Sequence, residues 1–455
     1  MLRPKNRHAG SPADLTRAGT LTVVLAFMTL ALAACGGGPK SDGLAEFPRG
    51  PDVPIIIPPG KPIVIGVSTA LTGPVGPRGN EYRDAVIVGV EDWKRRNGEL
   101  IAGHEVAIRA EDDGCGVAEV ATEAAQRLAK TPGLVGVVGP QCSGGALASL
   151  PIFNAAGIVA ISGSATRTDI TTGQAANGYF FRTAYRNDLE GILIGAFVAG
   201  TLKPAQWYLI DDGSAFGTDL AAAAETYGRN AGVLPVRASL KPGDVDFGEL
   251  TRRIAADQPG FVGFAGFNPE AALLLRQLRD AGYKGPFGAA DGSASQAQFV
   301  DPLGTTADET LFSGCGFALP PDLAGAFTEL HGDPPSATFT AQYVDAVQIL
   351  LDAVRTVAVS QADGSVTIEP ARLRDAVRGT VHAGGLTGPI AFDQRGDRLP
   401  DPTSNIDELL SRVRVIQDPT VFLSLGLITC QVQDGKIVPL SGPGAASPVG
   451  VPGGR

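Results

Sequence analysis

Between Ile63 and Ala281, short runs of β-branched and other apolar residues alternate with longer stretches patterned for helices. Ile63–Val67, His104–Ala110, Leu134–Val138 and Ile158–Ile161 read as strands, with helices over 79–97 and 117–130. After Arg182 the rhythm restarts, with helices over 188–201, 218–231, 246–257 and 269–281 and strands over 206–210, 233–239 and 261–265. Short continuous apolar runs are what strands buried on both faces require. Such alternation implies parallel βαβ units, and so doubly wound sheets with helices on both faces. Two series, near 63–182 and 184–314, predict two α/β lobes of similar build that share a rhythm but no residue-level repeat. A chain of 455 residues that is 44% apolar can fill two such cores.

The chemistry concentrates between Leu134 and Thr168. Both strands there run into loops of Ser, Gly and Thr, and in an open parallel sheet ligands bind beyond the carboxyl ends of strands. Ser143, Ser162, Ser164 and Thr166 therefore fall at one rim. A helix beginning near Gly144 offers free backbone N–H groups, which suit a carboxylate. The same Ser143 could equally serve only as a helix cap. The segment GPVGPRG at 73–79 lacks dinucleotide-loop spacing, and Gly79 and Gly98 read as turn glycines. No G-x-S-x-G elbow occurs, and no His lies near a candidate nucleophile, so nothing points to an enzyme or a cofactor.

Arg3, Lys5, Arg7 and Arg17 precede an apolar run of 14 residues, Leu21–Ala34, too short to span the ~30 Å core of a bilayer. Residues 1–34 thus read as a signal peptide. It ends in Leu32-Ala-Ala-Cys35-Gly36, which resembles a bacterial lipobox with Cys35 as the lipidated residue. Residues 35–61 read as a Gly- and Pro-rich tether, and 441–455 as a loose tail. Without residues 1–34, which hold four basic residues and Asp14, 33 basic residues face 46 acidic ones, a net charge of −13. That balance excludes nucleic-acid binding through basic stripes.

Outside the cytoplasm Cys115, Cys142, Cys315 and Cys430 can form disulfides, in three possible pairings. Cys115 and Cys142 follow neighbouring strands at one rim, which makes their pairing geometrically natural and leaves Cys315 with Cys430. The absence of C-x-x-C spacing disfavours a metal site.

Seven motifs in order resemble the solute-binding proteins of ABC importers for leucine, isoleucine and valine, the type I periplasmic-binding-protein family. They are Leu71-Thr-Gly-Pro-Val75, Asp112-Asp-Gly-Cys115, Gly139-Pro-Gln-Cys-Ser143, Ile161-Ser-Gly-Ser-Ala-Thr166, Asp211-Asp-Gly-Ser-Ala-Phe-Gly217, Phe267-Asn-Pro-Glu270 and Gly388–Asp397. The resemblance implies two discontinuous lobes, 62–183 with 317–384 and 184–316 with 385–440, joined by crossings near 183, 316 and 385. It implies hinge closure on a ligand between the lobes, a motion for which periplasmic binding proteins are a standing example. Ser143 and Thr166 would hold an α-carboxylate and the carbonyl of Ser164 an ammonium. Asp291 would pair with that ammonium, and Phe216 and Phe267 would wall the side-chain pocket. Arg78 stands where the family leads us to expect a tyrosine; it can pair with an acidic or amide-bearing side chain, or point to solvent. The implied partners are a small amino-acid-like ligand and the permease and ATPase subunits of an importer. The membrane is reached through the lipid anchor only, and the protein acts as a monomer. A sensor of amides or small carboxylates on the same fold is the rival reading. Residues 399–425 look like an insertion relative to the family.

Overall fold

The computed structural model describes residues 49–173, 178–409, 411 and 419–440. Cys35, the signal segment, the tail from Ser441 and part of the 399–425 stretch lie outside these residues. The first pass contains β1 (Ile55–Ile57), β2 (Ile63–Thr69), α1 (Gly76–Asn97), β3 (Leu100–Ile101), β4 (His104–Asp112) and α2 (Ala118–Ala129). It ends with β5 (Leu134–Val138), α3 (Ser143–Ala156), β6 (Val159–Ser162) and β7 (Phe180–Arg182). The second pass runs α4 (Asn187–Phe197), β8 (Trp207–Asp211), α5 (Ala215–Asn230), β9 (Val236–Ser239), α6 (Gly248–Asp257) and β10 (Phe261–Ala265). Next come α7 (Glu270–Asp280), β11 (Phe287–Ala289) and β12 (Leu311–Phe312). The chain returns through α8 (Pro321–His331), α9 (Thr340–Val357), β13 (Val359–Ser360), β14 (Val366–Ile368) and α10 (Pro370–Arg378). It closes with the ribbon β15 (Ala391–Phe392) and β16 (Arg398–Leu399) and the hairpin β17 (Cys430–Gln433) and β18 (Lys436–Pro439).

Two sheets organise the molecule, in orders β3-β4-β2-β5-β6-β7 and β18-β17-β12-β11-β10-β8-β9. From β4 to β7 and from β12 to β9 every pairing is parallel. β2, β5 and β6 are buried along their whole length, as their apolar runs require, with Ser68, Thr69 and Ser162 at the carboxyl ends of β2 and β6. The α/β, two-sheet expectation holds.

Three local expectations are revised. The tether was drawn to residue 61, yet Ile55–Ile57 pair antiparallel with Val366–Ile368 and Ile57 is fully buried. Arg49 fixes the same segment, Nη2 donating to the carbonyl of Leu134 at 2.8 Å. Gly79 is no turn residue but lies inside α1, which starts three residues earlier than expected. The third crossing, placed near 385, comes at Leu427–Ile428. Ile390, Ala391, Phe392, Leu399, Leu425 and Leu427 pack into the cluster that holds β2 and α9, and Ile428 into that of the second sheet. Phe392 meets the edge of Phe181, which keeps the ribbon against the first lobe.

The first crossing is tied to the β15–β16 ribbon by ion pairs, and the second crossing to the strand after the third by a disulfide. Asp397 pairs with Arg182 at 2.7 Å and Arg186 at 3.2 Å, all three buried. Arg182 also donates from Nη1 to the carbonyls of Ala165 and Arg167, at 3.0 and 2.9 Å, so a crossing residue holds the loop after β6. Cys315, in the second crossing, is bonded to Cys430, with Cα atoms 6.2 Å apart.

Candidate ligand-binding cleft

On the first lobe, α1 carries Arg78 in its opening turn and Tyr82 one turn later on the same face. A Cβ on Gly79 would lie 1.8 Å from the carbonyl oxygen of Ala70, so only glycine lets α1 start against the end of β2. The buried carboxylate of Asp113 joins three loops. It accepts from the Ser68 hydroxyl at 3.2 Å and from the backbone N–H groups of Gln141 and Cys115 at 3.0 Å each. The Cys115–Cys142 disulfide, with Cα atoms 4.9 Å apart, closes the same rim. Helix α3 begins at Ser143, and its opening amides have no intrahelical partner. The Ser143 hydroxyl accepts the N–H of Arg167 at 3.2 Å and keeps its own proton to donate. Ser164 donates its hydroxyl to the carbonyl of Gln141 at 2.7 Å and lies 2.9 Å from the hydroxyl of Tyr343, whose ring stacks on Tyr82.

On the second lobe, Phe216 sits in the first turn of α5, where the Ser214 hydroxyl caps the N–H of Gly217 at 2.9 Å. Phe267 follows β10 and donates its N–H to Asp212 at 3.0 Å, which sets its ring 5.0 Å from that of Phe216. Asp291 follows β11 and is fully buried. Its carboxylate accepts the Tyr185 hydroxyl at 2.8 Å, and its N–H donates to Glu190 at 3.1 Å. Glu190 also accepts the Ser313 hydroxyl at 2.5 Å. Burial pushes Asp291 up to about 6, against the hydrogen bond from Tyr185 and the charge of Arg78. Burial, with the charge of Asp291, raises Glu190 well above the usual carboxylate range. The two acids behave as a pair that shares one proton.

Between the two walls lies one cavity of about 20 Å³ in this closed form, bounded by Arg78, Tyr82, Gln141, Cys142, Ser143, Ser164, Phe216, Phe267, Asp291, Gly292 and Phe339. Six of the seven expected ligand residues meet there. Thr166 does not reach the lining; its hydroxyl is buried without a partner among the described residues, and its carbonyl accepts the N–H of Asn187 at 2.8 Å. Arg78 does not point to solvent, being 5% exposed. The cleft is closed. Arg167 donates from Nη1 to the carbonyl of Ala215 at 2.8 Å, and the N–H of Thr168 donates to Asp219 at 3.0 Å. Arg78 Nη2 and the Tyr82 hydroxyl are buried with no partner among the described residues, and buried polar groups ordinarily have one. A larger cavity of about 190 Å³ against the second sheet is lined mainly by apolar side chains such as Leu193, Phe197 and Phe261 and offers no charged group. Tyr82, Gln141, Phe339, Tyr185 and Glu190 were not anticipated. Tyr82 had a signal, four residues from Arg78 on one helix. No group of His, Cys, Asp and Glu among the described residues could hold a metal ion, and no helix there is long and apolar enough to cross a membrane.

The family model described as periplasmic binding protein matches residues 62–404. The Leu/Ile/Val-binding protein BraC3 of Rhizobium johnstonii is 29% identical over 292 residues, covering 63% of this chain and 77% of that protein. A leucine-, isoleucine-, valine-, threonine- and alanine-binding protein of Pseudomonas aeruginosa is 26% identical over 343 residues, covering 74% and 87%. The solved structure of the leucine-binding protein LivK from Thermotoga maritima has a TM-score of 0.67 at 20% identity, covering 83% of this chain and 97% of that one. LivJ from Streptococcus pneumoniae, in complex with isoleucine, has a TM-score of 0.66 at 20% identity, covering 83% and 98%. At that identity the structures speak for the fold, while the family model spans most of the folded chain. The chain belongs to the periplasmic binding protein family.

Proposed function

We propose that this chain is an extracytoplasmic, lipid-anchored solute-binding protein. It captures a small amino-acid-like ligand between its lobes and delivers it to an ABC importer, with no chemistry of its own. One observation carries the reading: the two walls of the cavity are complementary to the two ends of a zwitterion. Ser143, the first residue of α3, lines it from the first lobe, where a helix N-terminus favours a carboxylate. Asp291 faces it from the second lobe, where a buried ammonium needs an opposite charge. Ligand then bridges the lobes and stabilises the closed form, the form that permease and ATPase subunits read.

Calorimetry on the full chain in detergent, with a panel of amino acids, tests the site. Ser143→Ala combined with Thr166→Ala should abolish binding; unchanged affinity rejects this location. Cys35→Ala should move the protein from the membrane to the soluble fraction, and retention in the membrane rejects the lipid anchor.

A further inference from the structure

Arg78 is left over once a zwitterion has been placed. Its side chain is buried on the cleft, and among the described residues it makes one hydrogen bond, from Nη1 to the carbonyl of Asp291 at 3.4 Å. Nη2 has no partner. The carboxylates around it are engaged elsewhere. Asp291 accepts from Tyr185, and Glu190 from Ser313 and the N–H of Asp291. Glu81, on the same helix, turns to the N–H groups of Ser336 and Ala337, at 2.9 and 2.7 Å, and to the Thr340 hydroxyl. A guanidinium removed from water without a matched anion is costly. It also presents a fixed fork suited to a carboxylate.

We infer that the ligand carries a second carboxylate, held by Arg78, so that the cleft selects a short amino dicarboxylic acid over a neutral amino acid. The inference rests on the proposed amino-acid reading of the site. Each ligand charge then meets one protein group: the α-carboxylate the start of α3, the ammonium Asp291, and the distal carboxylate Arg78. A leucine-like ligand fills the same space but leaves the guanidinium unmatched. Phe216, Phe267 and Phe339 give the cavity an apolar waist that suits a chain of one or two methylenes between charged ends.

The test is calorimetry on the full chain in detergent with L-glutamate, L-aspartate, L-glutamine, L-leucine and glutarate. An acidic amino acid should bind at least about tenfold tighter than glutamine or leucine, the effect of one charge-assisted contact. Arg78→Gln should cost the acidic ligand about tenfold or more and leave glutamine nearly unchanged, with Arg78→Lys in between. Equal or tighter binding of leucine or glutamine by the wild type overturns the inference and leaves the amino-acid reading standing. A uniform loss for every ligand in Arg78→Gln also overturns it, since Arg78 would then hold the shared α-carboxylate. Glutarate binding as well as glutamate does, lost in Arg78→Gln, overturns the amino-acid reading while upholding the Arg78 contact. Failure of all five to bind overturns both.

Discussion

Replacing Asp291 by Asn should make the ligand-free protein more stable at neutral pH while destroying its grip on an ammonium. Burial moves the Asp291 carboxyl from 3.8 to about 6, and each unit corresponds to about 1.4 kcal/mol. Keeping this group ionised in the folded state therefore costs roughly 3 kcal/mol at pH 7.5. The folded-state value lies above the unfolded one, so between the two the folded form binds more protons. Stability thus falls as pH rises through that window; the full penalty applies above about pH 6 and disappears below about pH 4. Asn removes the charge and can still accept the Tyr185 hydroxyl. Urea unfolding at pH 7.5 should show Asp291→Asn more stable by about 1 to 3 kcal/mol, the lower figure reflecting how far Glu190 takes up the ionisation in its place. At pH 4 the two proteins should unfold together. In the wild type, amino-acid affinity should weaken as pH falls through about 6, because a protonated Asp291 no longer attracts an ammonium. A variant less stable than wild type at pH 7.5, or a gain that persists unchanged at pH 4, would refute desolvation as the origin of the shift.

Two further outcomes bear on the scaffold. Peptide mapping without reductant should recover Cys115 linked to Cys142 and Cys315 to Cys430; free thiols at these positions would reject the rim arrangement. Replacing the Cys115–Cys142 pair, separated by 27 residues, with two serines should cost about 3 kcal/mol in urea unfolding by loop-closure entropy. Asp397→Ala strands Arg182 in the interior, while Arg186 keeps Asp188, and should cost about 3 to 5 kcal/mol. A loss under about 1 kcal/mol would show that water reaches this cluster.

The sheets were legible because each parallel strand is a short apolar run with its own loop chemistry. Ser143 and Ser164 could be found because strand ends in such sheets converge on one rim, whereas Asp291 was reached only through the family resemblance. Glu190 and Tyr185 could not be found. They belong to the segment leading out of β7, and a single Glu near a helix start reads as a solvated, dipole-facing residue until the fold brings it under β11. Arg78 was reached only through the family resemblance, because a helix begun at Gly79 leaves it outside; the actual start at Gly76 places it one turn from Tyr82. The strand at Ile55–Ile57 escaped notice because its partner, Val366–Ile368, is remote in sequence and its neighbours are prolines and glycines. The third crossing was misplaced because Ile390, Phe392 and Leu399 carry no sign of which of two apolar cores they will join.

The Cys315–Cys430 bond has a mechanical meaning. Cys315 lies in the second crossing, and Cys430 follows directly on the third at Leu427–Ile428, with the Cys315 N–H also donating to the Ile428 carbonyl at 3.0 Å. Two of the three connecting strands are thereby fused into a single band, leaving Thr183–Arg186 as the separate one. Two parallel bands resist twisting and shear but still flex, much as a strap hinge allows one axis of swing. Opening and closing is thus confined to a single arc, and each return brings Arg78 back over Asp291 in the same register.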